Sequence, residues 1–316
     1  MKKIICVTLN PAMDKTIFVN NYKEGCVNLI DEVYYEIGGK GINVAKVLNN
    51  FEIKCIVTGF VGGIWTDKFR TKLMKLGIET KFFKLLQDTR INTKLIDTDT
   101  GMCTAINEKG PFVPEEVLEK FIQSFTLMCH AEDLIVLTGT PPPGVPKNIY
   151  YTLTQIAKKK GATVILDAHG EALLKALDAK PDMIKISYRD FIPKEYWGKL
   201  TKADFPYIIQ KVRETQIQNA LISLGQYGAL FVDQEKNYYA NAVQVGVDLK
   251  YPVGAGDAMV AALIIGKLEE FDLITTIKYA IACGAACVVA KDTSNCKPTE
   301  VNKYISEVVV NELTTY

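Results

Sequence analysis

The sequence predicts an α/β fold in which a mostly parallel sheet carries a small β-sheet lid. Three observations predict it. From Ile56 to Ser187, apolar runs about one strand long alternate with segments of helical period, the pattern of β-α units joined by right-handed crossovers. A glycine turn, Gly254, Ala255 and Gly256, opens a nearly apolar helix over Ala258 to Ile265. Two stretches, about 14–37 and 89–108, instead read as short, partly exposed strands that cannot belong to a sheet covered on both faces.

Composition sets the limits of function. The chain has 316 residues and 48% hydrophobic composition, enough for one large α/β core or two modest ones. Its 37 basic and 36 acidic residues nearly cancel, which leaves no bulk field to gather nucleic acid or an anionic membrane. The first apolar run is only a strand long and ends at Asn10 and Pro11, where a signal peptide should continue, and no apolar span of about 20 residues follows. A cytoplasmic protein is expected. Eight dispersed cysteines without a CxxC read as small buried hydrophobes rather than a disulfide framework or a metal set.

In chain order, Ile4 to Leu9 is a strand whose end carries Asn10, Pro11 and Asp14 to the carboxyl edge, where open α/β sheets bind ligands. Residues 15–37 form the first part of the lid. Gly38, Gly39 and Gly41 make a close-approach turn into a helix with Ile42, Ala45, Val47 and Leu48 inward, leaving Lys40 and Asn43 near its amino end. That helix start favours an anion. It lacks the spacing of a GxxxxGK[ST] loop, and no GxGxxG with a following acidic residue occurs, so neither a P-loop nucleotidase nor a nicotinamide-dependent oxidoreductase is indicated.

Residues 56–63, 68–76 and 81–86 supply strand, helix and strand. Arg90, Asn92 and Lys94 then alternate with Ile91, Thr93 and Leu95 in a hairpin that reverses near Asp99 to Gly101. Side chains at period two share a face, so the three polar residues form either a clamp for a charged substrate or a solvated edge-strand face. A helix over 115–128 leads to the strand 134–139, ending in Thr138, Gly139 and Thr140 and stiffened by Pro141 to Pro143. A helix over 147–160, the strand ATVILDA, a helix over 171–177 and the strand DMIKIS follow, the last carrying Lys185 and Ser187 ahead of Asp190. His169, just past a strand end, is a ligand contact or a polar loop residue. Residues 191–219 are polar with helical tendency. A further strand ends at Ser223 to Gly225, before Gly228, and ALFVD and NYYAN form the outer part of the sheet. Helices over 272–290 and 298–312 bracket a TSNCK loop.

The turn at Gly254 to Gly256 is an anion site, because the first amides of a helix lack intrahelical partners and the dipole favours negative charge. Asp257 stands at its mouth. It reads either as an N-cap or as a general base, and a permanent carboxylate beside a phosphate site is useful when it must take a proton from an attacking hydroxyl.

Seven segments in order, NPAMD, GGKGINVAKVL, TRINTK, LTGTPPPGVP, LDAHG, SLGQYGA and VGAGDAMVAA, resemble the phosphosugar branch of the PfkB, or ribokinase-like, carbohydrate kinases. Within that branch the likeness is greatest to 1-phosphofructokinases and next to tagatose-6-phosphate kinases. The resemblance implies one three-layer α/β/α kinase domain over 1–316, a homodimer formed through lid strands, and ATP with Mg²⁺ as phosphoryl donor. It implies Asp257 as base, with the amides of Gly254, Ala255 and Gly256 on the γ-phosphoryl oxygens. Asp14, Gly38, Gly39, Lys40, Asn43 and Gly139 would bind the sugar, Arg90, Asn92 and Lys94 its phosphate. Lys185, Ser187, Ser223, Gly225 and Gly228 would line the nucleotide side, with Asp190 reaching the metal through water. The implied reaction is transfer to the C6 hydroxyl of fructose 1-phosphate, giving fructose 1,6-bisphosphate; the alternative acceptor is tagatose 6-phosphate.

Departures fall at the periphery. Ser187 and Asp190 stand where the family has asparagine and glutamate, Ala105 where it has the glutamate of TEIN, and Ala168 and His169 within its LDTSG. These leave open a weakly active, sugar-phosphate-sensing relative.

Overall fold

The computed structural model describes residues 2–246, 254–289 and 296–313. Tyr251 to Val253, ahead of the glycine turn, and Thr293 to Asn295 of the expected TSNCK loop lie outside the described residues.

The strands are β1 (Ile4–Thr8), β2 (Ala12–Val19), β3 (Glu32–Gly38), β4 (Ile56–Gly62), β5 (Glu79–Leu85), β6 (Ile91–Asp97), β7 (Cys103–Asn107), β8 (Leu134–Thr138), β9 (Thr163–Asp167), β10 (Met183–Ser187), β11 (Asn219–Ser223), β12 (Ala229–Asp233), β13 (Asn237–Ala240) and β14 (Val310–Leu313). The helices are α1 (Lys40–Asn50), α2 (Thr66–Lys75), α3 (Glu115–Met128), α4 (Ile149–Lys159), α5 (Gly170–Leu177), α6 (Phe205–Glu214), α7 (Ala255–Leu268), α8 (Leu273–Val289) and α9 (Pro298–Ile305).

β1 is buried along its whole length and divides by parity. Ile4 and Cys6 pack into one apolar cluster with residues of α1, α2, α7, α8 and α9, whereas Ile5, Val7 and Leu9 pack into another with residues of α3, α4, α5 and α6. Successive side chains of a strand point to opposite faces, so the sheet lies between two helical layers. This is the three-layer arrangement the sequence implied.

The large sheet has ten strands in the order β14-β13-β12-β11-β10-β9-β8-β1-β4-β5. From β11 to β5 neighbouring strands run parallel, and from β11 outward to β14 they run antiparallel. The chain leaves β1 toward β4 and β5 on one side and later builds β8 to β11 on the other. The strand order therefore reverses at β1 and β8, where such sheets open a crevice at their carboxyl ends.

A separate four-stranded sheet, β3-β2-β6-β7, forms the lid. It begins at Ala12 and ends at Asn107, so Asp14 lies on a lid strand rather than at the end of β1. The expected pairing of the two lid segments is present: β2 runs parallel to β6, with Asp14 beside Asn92 and Thr16 beside Lys94. β7 is exposed throughout, and the apolar side chains of Val27, Leu29, Met102 and Ile106 are exposed on the lid.

One expectation for the C-terminal half is corrected. The helix foreseen over 298–312 stops at Ile305, and Val310–Leu313 becomes β14, antiparallel to β13. The helical tendency of residues 191–219 is realised in the ten-residue α6, preceded by two three-residue 3-10 turns. All eight cysteines are free, six of them buried; Cys26 and Cys103 are exposed, and both ride on the lid. Among the described residues no helix is long and apolar enough to cross a membrane.

Candidate active site

Five elements meet at the carboxyl end of the sheet. Gly254 adopts φ 91°, a left-handed turn that glycine takes without steric cost, and α7 begins at the next residue. α7 is apolar on every side, so its first turn is driven into the interior and carries Asp257 with it. Gly256 has a specific steric reason: a Cβ there would run into Lys185 Nζ, which places the ammonium of β10 directly against the anion turn.

Asp257 Oδ2 accepts a hydrogen bond from Asn43 Nδ2 at 2.8 Å. Burial raises its pKa to about 6, with the Asp167 charge pushing the same way and Lys40, Asn43 and Lys185 opposing. The carboxyl group is thus poised near neutrality, the condition for a general base that must accept a proton and release it again.

Lys40 comes from the first turn of α1. Gly39 precedes it at φ 121°, a position where a Cβ would strike Pro11 and Thr8. Lys40 Nζ lies 3.0 and 2.9 Å from the two oxygens of Asp167, the last residue of β9. Burial would lower the Lys40 pKa, yet Asp167 and Asp257 outweigh it and raise it. Burial would likewise raise Asp167, and Lys40 and Lys185 outweigh it. The ion pair is therefore fully charged, and Lys40 stands between two carboxylates of different basicity.

Lys185, buried at the next strand end, has its pKa lowered chiefly by burial. Ser187 and Asp190 form a capping box: Asp190 Oδ2 accepts from Ser187 N at 3.0 Å and Ser187 Oγ accepts from Arg189 N at 3.3 Å. Burial raises the Asp190 pKa. His169 Nε2 and Thr140 Oγ1, 2.9 Å apart, link the loops after β9 and β8. Gly139 stands on the β8 side of that link; its carbonyl accepts from Tyr150 Oη at 2.9 Å.

On the lid side, Asp14 is buried beneath two donors: Asn92 Nδ2 reaches Oδ1 at 3.2 Å, and Lys94 Nζ stands 3.6 Å from Oδ2. A Cβ at Gly38 would strike the same carboxylate, so the backbone of the glycine turn packs against Asp14. The buried Oδ1 atoms of Asn43 and Asn92 have no partner among the described residues, an arrangement suited to hydroxyl donors from a ligand.

The structure thus brings together Asp257, Asn43, Lys40 and Lys185, and separately Asp14, Asn92, Lys94 and Gly38. Arg90 behaves differently from its expected place in a three-residue face. It precedes β6, and its Nε and Nη2 donate to Asn10 O at 3.2 and 3.0 Å while Nη1 donates to Glu108 O at 3.0 Å. Half of its fork ties the start of β6 and the end of β7 to the end of β1. Gly228 is required by the sheet, since a Cβ there would meet Ala240 O of β13. Gly225 has φ 64° with open space around it, and Ser223 Oγ donates to Ile186 O at 3.1 Å.

Asp167 is the residue the sequence reading passed over. Its signal was available: an aspartate closing the otherwise apolar strand TVILD has the same carboxyl-edge position that singled out Lys185 and Ser187.

Comparison with known proteins gives the family and the fold. Residues 7–300 match the family described as pfkB family carbohydrate kinase. The chain is 32% identical over 314 residues to the 1-phosphofructokinase of Bacillus subtilis, covering 98% of this chain and 100% of that protein. Among solved structures, a putative phosphofructokinase from Staphylococcus aureus superposes with a TM-score of 0.79 at 29% identity, covering 99% of this chain and 100% of that one. The ribokinase of Thermotoga maritima shares the fold, with a TM-score of 0.72 at 20% identity over 97% of this chain and 100% of that one. With the family matched over nearly its whole length, a buried aspartate at a glycine-opened helix start and two lysines facing it, the chain belongs to the pfkB family of carbohydrate kinases.

Proposed function

We propose that the protein transfers the γ-phosphoryl group of ATP to the C6 hydroxyl of fructose 1-phosphate, giving fructose 1,6-bisphosphate and ADP. The observation that carries this reading is Asp257: a buried carboxylate with a pKa of about 6, hydrogen-bonded to Asn43 and standing on the first turn of α7. The 1-phosphofructokinase relative supports the choice of acceptor.

In this reading Asp257 takes the proton of the C6 hydroxyl as its oxygen attacks the γ-phosphorus, and the proton leaves Asp257 after transfer. Asn43 holds the carboxylate in register. The amides of Gly254, Ala255 and Gly256 meet the γ-phosphoryl oxygens, and Lys40 and Lys185 offset charge that builds there. Asp14, with Gly38 and Gly39, orients the sugar hydroxyls from the lid side and Gly139 does so from the β8 loop; Lys94, Asn92 and the free N–H groups of Arg90 face the sugar phosphate. Ser187, Ser223, Gly225 and Gly228 border the nucleotide.

Mg²⁺ fits the residues present. It keeps much of its water and takes further ligands from phosphate oxygens, so one or two carboxylates suffice. Asp190, half-buried with Oδ1 outside the capping box, offers one through water. When bound, the ion neutralises charge on the phosphate oxygens. The apolar lid surface supports a homodimer formed through the lid.

Steady-state kcat/KM for fructose 1-phosphate, fructose 6-phosphate, tagatose 6-phosphate and free fructose tests the reading. Preference for fructose 1-phosphate is expected. Preference for tagatose 6-phosphate by about tenfold, a difference of about 1.4 kcal/mol in transition-state binding, moves the assignment to that sugar.

A further inference from the structure

Register lines up four polar side chains across the lid. Glu36 pairs with Asp14 between β3 and β2, Asp14 with Asn92 between β2 and β6, and Asn92 with Asn107 between β6 and β7. Residues opposite one another on neighbouring strands share a face of the sheet, so all four project from one side.

That side meets the elements carrying the active site. Glu36 Oε2 lies 3.4 Å from Lys46 Nζ of α1, and the Asp14 carboxylate abuts the Gly38 backbone. Inner members of the row are engaged with one another, Asn92 giving its Nδ2 to Asp14 and leaving Oδ1 buried without a partner among the described residues. Asn107 ends the row as the last residue of β7, with an exposed side chain. Its neighbour Glu108 gives the carbonyl that holds Arg90 Nη1, and the Glu108 carboxylate accepts from Ile91 N, so both Glu108 groups are turned to structural work. Asn107 thus closes the row one residue before the carbonyl that binds Arg90, on the face shared with Asp14 and Asn92.

We propose that Asn107 is a further substrate-contacting residue, donating an amide N–H to the phosphate of the ketohexose phosphate and so favouring phosphorylated over free sugar. The proposal rests on reading the protein as a phosphosugar kinase. It assigns distinct work to two members of the row: Asp14 accepts from sugar hydroxyls, where a carboxylate is useful, and Asn107 meets the substrate's anionic group, where a carboxylate would repel.

The wild-type enzyme is first assayed on fructose 1-phosphate, fructose 6-phosphate and tagatose 6-phosphate, and Asn107→Ala and Asn107→Asp are then compared with it on the sugar phosphate it uses best. The expected result is a sugar-phosphate KM raised about tenfold by Asn107→Ala and further by Asn107→Asp, with KM for ATP, kcat and melting temperature little changed. The excess effect of aspartate is what a solvated edge-strand asparagine would not give. A sugar-phosphate KM within about twofold of wild type in both variants overturns the proposal and leaves the kinase reading standing. A wild-type enzyme that phosphorylates none of the three overturns both.

Discussion

In the proposed reaction Asp257 serves as base at the expense of the fold. Its pKa of about 6 lies above that of an ordinary aspartate, so the folded state holds the proton more tightly than the unfolded one. Below the ordinary aspartate range both states are protonated and nothing is lost. As pH rises through 6 the folded protein must carry a desolvated charge, a penalty of up to about 3 kcal/mol. Asp257→Asn is therefore expected to melt higher than wild type near pH 7.5, with the gain gone near pH 3.5, while kcat falls by about 10² to 10⁴. Thermal melts at the two pH values, with kcat alongside, check both halves; a lower melting temperature for the variant at pH 7.5 would remove the burial argument. In wild type, kcat/KM should rise with pH on an acid limb near 6, because the base works only when deprotonated. Asp257, Lys40 and Asn43 were legible in the sequence because glycine turns single them out. The Lys40–Asp167 ion pair was not, because it joins residues 127 apart whose chain segments give no mutual sign.

At the scale of elements, α1 and β3 are joined by a buried lysine. Lys46 Nζ donates to Ile37 O at 2.8 Å and reaches Glu36, which also meets Lys72 of α2 at 3.3 Å. Glu36 stands opposite Asp14, and like charges at matched register repel, so Lys46 offsets a conflict within the lid. Lys46→Met is expected to cost about 1.5–3 kcal/mol, the range for a lost charged hydrogen bond, and Lys46→Arg to recover part of it. Urea unfolding of the three proteins measures this, and equal midpoints would show the tether to be idle. Most elements were readable from period alone; α3 spans 115–128 as expected. β14 was not. Val301, Tyr304, Ile305 and Val308 continue a helical spacing, yet Val308 to Val310 is a β-branched run, and the edge of β13 supplies backbone partners that no local pattern announces.

For the whole molecule, the proposed lid dimer can be tested through the lid's exposed apolar residues. Leu29 is 82% and Ile106 62% exposed, and Leu29→Asp combined with Ile106→Asp should shift a dimer toward monomer in sedimentation velocity without unfolding it. An unchanged dimer would place the interface elsewhere. The distribution of thiols reaches further. Cys26 and Cys103 are the exposed cysteines and both belong to the lid, whereas the other six are buried in the body. A mild thiol reagent should therefore modify about two sulfurs per native chain and the rest only on denaturation, a contrast of accessibility rather than of chemistry. The unaltered polypeptide thus carries its own pair of attachment points for dyes or spin labels, both on the lid, so that the surroundings of that sheet can be followed as substrate is added without changing a single codon.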